Sequence, residues 1–298
     1  MFDTDGSTEM SYGIQPPAYR LSNRARVGAV HLLVSDVPRS LAYYAHVVGL
    51  RPLAVEHERA MLGSHDGRSL VELQTRGGVT PAQRGALGLY HFAILLPSRP
   101  ALGQFAAHLV SLGIRVGMAD HLVSESFYLW DPDGLGIEVY ADRPRSAWKH
   151  NGRELAMATD PLDIDDVIAE GAGVIWNGAP AGTTMGHVHL HVGSLELAEA
   201  FYHRALGFDK MVWSYPGALF MAAAGYHHHL ATNVWSAGLP PARDQAQLLQ
   251  WELVLPSRDE TAALGQSLRE AGYQTEHDAH GFAVADPWHT RVRIRANE

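Results

Sequence analysis

Histidines 187, 189 and 191 stand at alternate positions of Met185-Gly-His-Val-His-Leu-His-Val192, with Val188, Leu190 and Val192 interleaved. An extended chain sends successive side chains to opposite faces, so the imidazoles share one face and the aliphatic residues the other. The aliphatic face can pack on a helix. A purely structural sheet has little reason to collect three imidazoles, so the other face reads as the wall of a polar cavity. Further imidazoles lie at His91, in Gly88-Leu-Tyr-His-Phe-Ala-Ile-Leu95, and in the run His227-His-His229, with a carboxylate at Glu138 in Gly136-Ile-Glu-Val139. The chain has 18 histidines and no cysteine. Disulfides, thiolate metal sites and a cysteine nucleophile are excluded together. Imidazole and carboxylate are the ligands left, a set that suits iron, manganese, nickel or zinc.

The histidine strand is one of two copies. Ala29-Val-His-Leu-Leu-Val34 and the helix to Tyr44 recur as His187-Val-His-Leu-His-Val192 and the helix to Tyr202, with Gly49 matching Gly207. The copies differ at their first position, where Ala29 stands against His187. A weaker repeat joins Tyr90–Arg99 to Gln250–Arg258 through Pro97-Ser-Arg99 and Pro256-Ser-Arg258. Each of these leads into a helical stretch closed by Gly113 or Gly272, then a turn at Asp131-Pro-Asp-Gly134 or Asp286-Pro-Trp-His289. The chain thus reads as four units of strand, helix and three strands, over about 27–78, 86–143, 184–236 and 248–296. In the first helix Asp36 is the expected N-cap, and Val37, Leu41, Tyr44 and Val48 form the apolar face. The expected organisation is a flexible tail over 1–24, an N-terminal half over 25–145, a linker over 146–183 with a short helix near Asp163–Ala169, and a C-terminal half over 184–298.

At 298 residues, 46% hydrophobic and 18% charged, the chain has the composition of an ordinary globular protein. The net charge of -9 argues against nucleic-acid and anionic-membrane partners. No apolar run is long enough to span a bilayer, and the first 17 residues lack the basic and apolar regions of a signal peptide. A cytoplasmic protein is the expectation.

Four such units resemble the vicinal oxygen chelate superfamily of glyoxalases, bleomycin-resistance proteins and extradiol dioxygenases. The likeness covers nearly everything from residue 27 onward. Gly88–Pro97, Asp131–Arg145, Met185–Val192 and Gly225–Asn233 are most similar to the two-domain catechol 2,3-dioxygenases of bacteria. The resemblance implies an α+β fold: four βαβββ units forming two eight-stranded cup-like mixed sheets, with helices outside. It also implies ligand positions on the opening strands of two units and on one closing strand. Those positions hold Ala29, His91 and Glu138 in units one and two, and His187, Gln250 and Arg293 in units three and four. Neither sequential pairing gives a full set. Pairing unit two with unit three gives His91, Glu138 and His187, and leaves a degenerate second cup.

Two histidines and a carboxylate on one side of a metal form the facial triad of non-haem Fe(II) oxygenases. The resemblance implies Fe(II), with Mn(II) next, and a small aromatic diol and O2 as substrates. It assigns His228 as acid–base residue, Tyr128, ten residues before Glu138, as active-site tyrosine, and His121 as a further histidine near it. His189, His191 and His229 are the expected substrate contacts, with His229 the alternative base. Glu72 sits where glyoxalase I has a metal carboxylate, but without partner ligands it reads as a relict or a surface ion pair. Two other classes share the fold: a metal-dependent isomerase or lyase of glyoxalase type, and a small-molecule (drug) binding protein. A homo-oligomer is suggested.

Overall fold

The Pro-Ser-Arg signatures are helix starts. Ser98 Oγ accepts from the backbone of Ala101 at 3.3 Å, and Ser257 Oγ from Glu260 at 3.2 Å, satisfying N–H groups that a helix's first turn leaves without partners. Asp36 does the same for the first helix through the Arg39 amide at 2.7 Å. The computed structural model describes residues 12–297. Unit one comprises β1 (Arg26–Leu33), α1 (Val37–Tyr43, continued by a π-turn over Tyr44–Val48), β2 (Arg51–Val55), β3 (Arg59–Gly63) and β4 (Ser69–Gln74). Unit two comprises β5 (Gly88–Leu95), α2 (Arg99–Ser111), β6 (Gly117–Asp120), β7 (Ser124–Trp130) and β8 (Gly136–Asp142). The connection carries β9 (His150–Asn151), β10 (Glu154–Leu155) and α3 (Ile164–Glu170), the short helix expected there. Unit three comprises β11 (Thr184–His191), α4 (Leu195–Ala198, with a π-turn over Glu199–Ala205), β12 (Asp209–Val212), β13 (Ala218–Ala222) and β14 (Leu230–Asn233). Unit four comprises β15 (Gln247–Leu255), α5 (Arg258–Glu270), β16 (Thr275–Asp278), β17 (Gly281–Ala285) and β18 (Arg291–Ala296).

The strands form two eight-stranded sheets, ordered β12-β13-β14-β11-β5-β8-β7-β6 and β16-β17-β18-β15-β1-β4-β3-β2. The first joins unit three to unit two; the second joins unit four to unit one. Each sheet therefore takes one unit from each half of the sequence, as the ligand positions required. Within a unit the opening and closing strands run parallel; between units the opening strands run antiparallel. The aliphatic faces of both sheets, with the helices, share one core that includes Val188, Leu190, Phe92, Val30 and Leu32.

Residues 12–24 of the expected flexible tail are held against unit three, while 1–11 lie outside the described residues. Ile14 bridges to Lys210, and Arg20 makes a two-pronged ion pair with buried Asp209 at 2.8 and 2.7 Å. Leu21 is buried. Burial of one aliphatic side chain and neutralisation of a buried carboxylate outweigh the polar composition that suggested a loose tail. Among the described residues no helix is long and apolar enough to cross a membrane.

Candidate metal centre

Strand register brings the three ligand candidates together. Glu138 on β8 lies beside Ala93 on β5, and Ala93 lies beside His187 on β11. His91 is two residues along β5 from Ala93 and shares its face. Ala93 is small, so the side chains of Glu138 and His187 meet above it, and His91 leans in from the side. Both imidazole Nε2 atoms lie 3.0 Å from Glu138 Oε2 and 3.4 Å from each other. All three residues are buried. Beside His187, Gly186 leaves room for the Tyr140 hydroxyl, since a Cβ there would sit 1.9 Å from it.

The second Glu138 oxygen is occupied, since Ser126 Oγ donates to Oε1 at 2.6 Å. That bond aims Oε2 at the two imidazoles. Burial pushes the Glu138 carboxyl up, but the charge and hydrogen bonds of His187 and then His91 outweigh it and hold it well below the usual range. Burial drives His187 down to about 4 against the pull of Glu138. A neutral imidazole and a carboxylate are the forms that bind a metal. His187 Nδ1 is buried without a partner. Two nitrogens and one oxygen converging on one point from one side fit a divalent cation, and the described residues hold no other such cluster.

The open side of the triad faces a cavity of about 320 Å³. Tyr128 lies directly opposite Glu138 in the β7–β8 pairing, which is the physical content of their ten-residue spacing. Its hydroxyl is 2.5 Å from His121 Nε2, and His121 Nδ1 is 2.6 Å from the Ala158 carbonyl. Burial and the Glu138 charge keep the Tyr128 phenol protonated, well above its usual range. His228 also lines the cavity, its ring 4.0 Å from that of His187. Burial, then His187 and His227, hold it well below 6.5, so it is neutral.

The remaining candidates separate. His189 lines the cavity, with Nε2 2.8 Å from the Asn233 amide nitrogen. His191 stands outside the lining, 2.7 Å from Asn233 Oδ1 and against the Tyr90 ring. His229 does not reach the cavity: its Nδ1 accepts from the Ala223 amide at 3.2 Å and its ring lies on Tyr226. His228 enters the cavity and His229 does not, in the bend that precedes β14. Sequence reasoning missed Ser126, although it stands two residues before Tyr128 on the same face. It also missed the linker's part in the wall, where Met157, Ala158 and Thr159 close one side. Nothing local marks a coil segment as a wall.

In the second sheet the corresponding positions hold Ala29, Gln250 and Arg293. Arg293 pairs with Asp278 at 2.5 Å and Arg295 with Glu252 at 3.2 Å. Glu72 lies 2.9 Å from His31 Nε2, both partly exposed.

The glyoxalase/bleomycin resistance protein/dioxygenase superfamily pattern matches residues 26–139. A catechol-2,3-dioxygenase of Bacillus subtilis (strain 168) is 40% identical over 267 residues, covering 88% of this chain and 93% of that protein. The chain belongs to this superfamily. Its fold is shared by a further solved Bacillus subtilis protein at TM-score 0.66, with 11% identity, covering 93% of this chain and 86% of that one. Glyoxalase I from Zea mays aligns at TM-score 0.55 with 18% identity, covering 91% of this chain and 92% of that one. These two likenesses speak for the fold alone. In this superfamily member the candidate ligands His91, Glu138 and His187 lie in the sheet built from units two and three.

Proposed function

We propose that this enzyme is an extradiol ring-cleaving dioxygenase that uses Fe(II), with Mn(II) the next candidate, and O2 to open a catechol-like diol beside its hydroxyls. The observation that carries this reading is the convergence of His91, Glu138 and His187 at the wall of a cavity that His228 and Tyr128 also line. The kinship with a catechol-2,3-dioxygenase supports it. Fe(II) held by the three ligands would supply the redox link between diol and O2.

The rest is the work of the chain. His228, neutral at pH 7, takes a proton from a diol hydroxyl. Tyr128, protonated, gives its hydroxyl proton to His121 Nε2, whose Nδ1–H is held by the Ala158 carbonyl, and offers its oxygen to the substrate as an acceptor. Tyr90, Trp130, Tyr215, Phe220 and Trp235 line the cavity and offer apolar and ring surface to the diol. No arginine or lysine lines the cavity among the described residues. Nothing there offsets the desolvation of a carboxylate on the substrate, so an uncharged ring with an apolar substituent fits best.

A glyoxalase-type isomerase would want a fourth protein ligand from β14. The residue facing the site there is Ala231, paired with His189, which counts against it.

The test is elemental metal content after anaerobic purification without chelator, followed by O2 uptake with catechol and 4-methylcatechol. Near-stoichiometric iron or manganese with diol-dependent O2 uptake is expected. Nickel or zinc without O2 uptake would overturn the reading, as would a preference for a carboxylated catechol for its substrate part.

A further inference from the structure

Behind His228 runs a hydrogen-bond chain that the reaction as described does not use. His228 Nδ1 lies 2.7 Å from His227 Nδ1, and His227 Nε2 lies 2.9 Å from Asp142 Oδ1. The Tyr226 hydroxyl donates to the same Asp142 oxygen at 3.0 Å. His227 is fully buried and His228 nearly so, whereas the Asp142 side chain, at the end of β8, keeps 28% exposure.

Two ring nitrogens at this distance share one proton, and two arrangements satisfy the whole chain. In one, His227 is neutral with its proton on Nε2, facing Asp142. Its Nδ1 then accepts from His228 Nδ1–H, and His228 Nε2 carries a lone pair. In the other, His227 is an imidazolium donating at both ends, and His228 carries its proton on Nε2. The first makes His228 a base at the nitrogen left for the cavity. The second makes it a donor.

The surroundings favour the first. The His227 ring packs on Tyr226 at 4.0 Å and Trp148 at 5.5 Å. The Arg145 guanidinium lies over those same two rings, 5.8 and 5.4 Å from their centres. His187 is 6.2 Å away, and His229 and the Tyr140 ring complete the surround. A buried imidazolium would thus be enclosed by rings, with the Arg145 guanidinium beyond two of them. Its ion-pair partner, Asp142, is partly solvated and already accepts from Tyr226.

We propose that Asp142 and His227 are positioning residues that fix His228 as its Nδ1–H tautomer, leaving the Nε2 lone pair for the cavity. The catalytic meaning of this tautomer rests on His228 being the base; the tautomer itself does not. A general base contributes about 10²- to 10⁴-fold in rate, and the wrong imidazole tautomer forfeits that contribution.

The experiment is two-bond ¹H–¹⁵N correlation on protein labelled with ¹⁵N-histidine, metal-free and loaded with Zn(II), with His228 assigned by its loss in His228→Gln. A protonated Nδ1 and a bare Nε2 on His228 are expected. His227→Phe removes the acceptor, so His228 becomes a tautomer mixture and catechol turnover falls about 100-fold at unchanged iron content. His227→Gln keeps an acceptor oxygen and restores both tautomer and rate. A proton on His228 Nε2 in the unaltered protein overturns the proposal, as does a single unchanged tautomer in His227→Phe. The expected tautomer in a protein that never consumes O2 would support the positioning and remove the dioxygenase reading alone.

Discussion

The Tyr44 hydroxyl donates to Asp131 Oδ2 across 3.1 Å of buried interior. Tyr44 belongs to unit one and Asp131 to unit two, so the bond stays within one half of the sequence while their strands enter different sheets. Tyr202 repeats it onto Asp286 at 2.8 Å in the other half. These two bonds tie the sheets together, one in each half of the sequence.

Removing either hydroxyl should therefore loosen the whole molecule. Asp131 keeps its backbone donors from Asp133 and Leu135 at 2.9 and 2.8 Å, but Oδ2 loses Tyr44. Tyr44→Phe is expected to cost about 1–3 kcal/mol, and Tyr202→Phe a similar amount, read from urea unfolding of the metal-free protein. A neutral result for both would show that the bonds do not couple the sheets.

Burial raises the Asp131 carboxyl from 3.8 to about 6. The folded state then binds this proton more tightly than the unfolded state. Its contribution is fully present below pH 4 and lost as pH rises through about 6. The size is about 3 kcal/mol at 1.4 kcal/mol for each unit. The difference in unfolding free energy between the unaltered protein and Asp131→Asn, followed from pH 4 to 7, should fall by that order in the unaltered protein's disfavour. A flat difference would refute the raised carboxyl.

His187→Ala leaves one imidazole and one carboxylate, so bound metal should be lost after dialysis. Arg293→Ala, at the corresponding region of the other sheet, should keep it. Retention of stoichiometric metal by His187→Ala would remove the proposed centre.

Ser126→Ala frees Glu138 Oε1 to turn. Groups that orient a metal ligand typically govern a 10- to 100-fold range in affinity, and a loss of about that size is expected in competition with a chromophoric chelator. Unchanged affinity would mean that packing, not the 2.6 Å hydroxyl bond, holds the carboxylate.

Much of this protein is written locally. Alternation along residues 187–192 assigns the imidazole face, Asp36 announces a helix start, and the duplicated strands give four units. Ten residues from Tyr128 to Glu138 are one hairpin, so their apposition is also local. These features depend on backbone geometry over a few residues, which a sequence states directly. Which of His227, His228 and His229 enters the cavity was less legible, because a one-residue slip in register inverts the answer. Tertiary structure decided it, and with it the wall made by Met157–Thr159 and the chain from His228 to Asp142. The pairing of units lies between the two. Ligands missing from Ala29, Gln250 and Arg293 implied that units two and three share a sheet. Only long-range strand pairing, in which β5 and β11 meet across the linker, brings His91, Glu138 and His187 to one point.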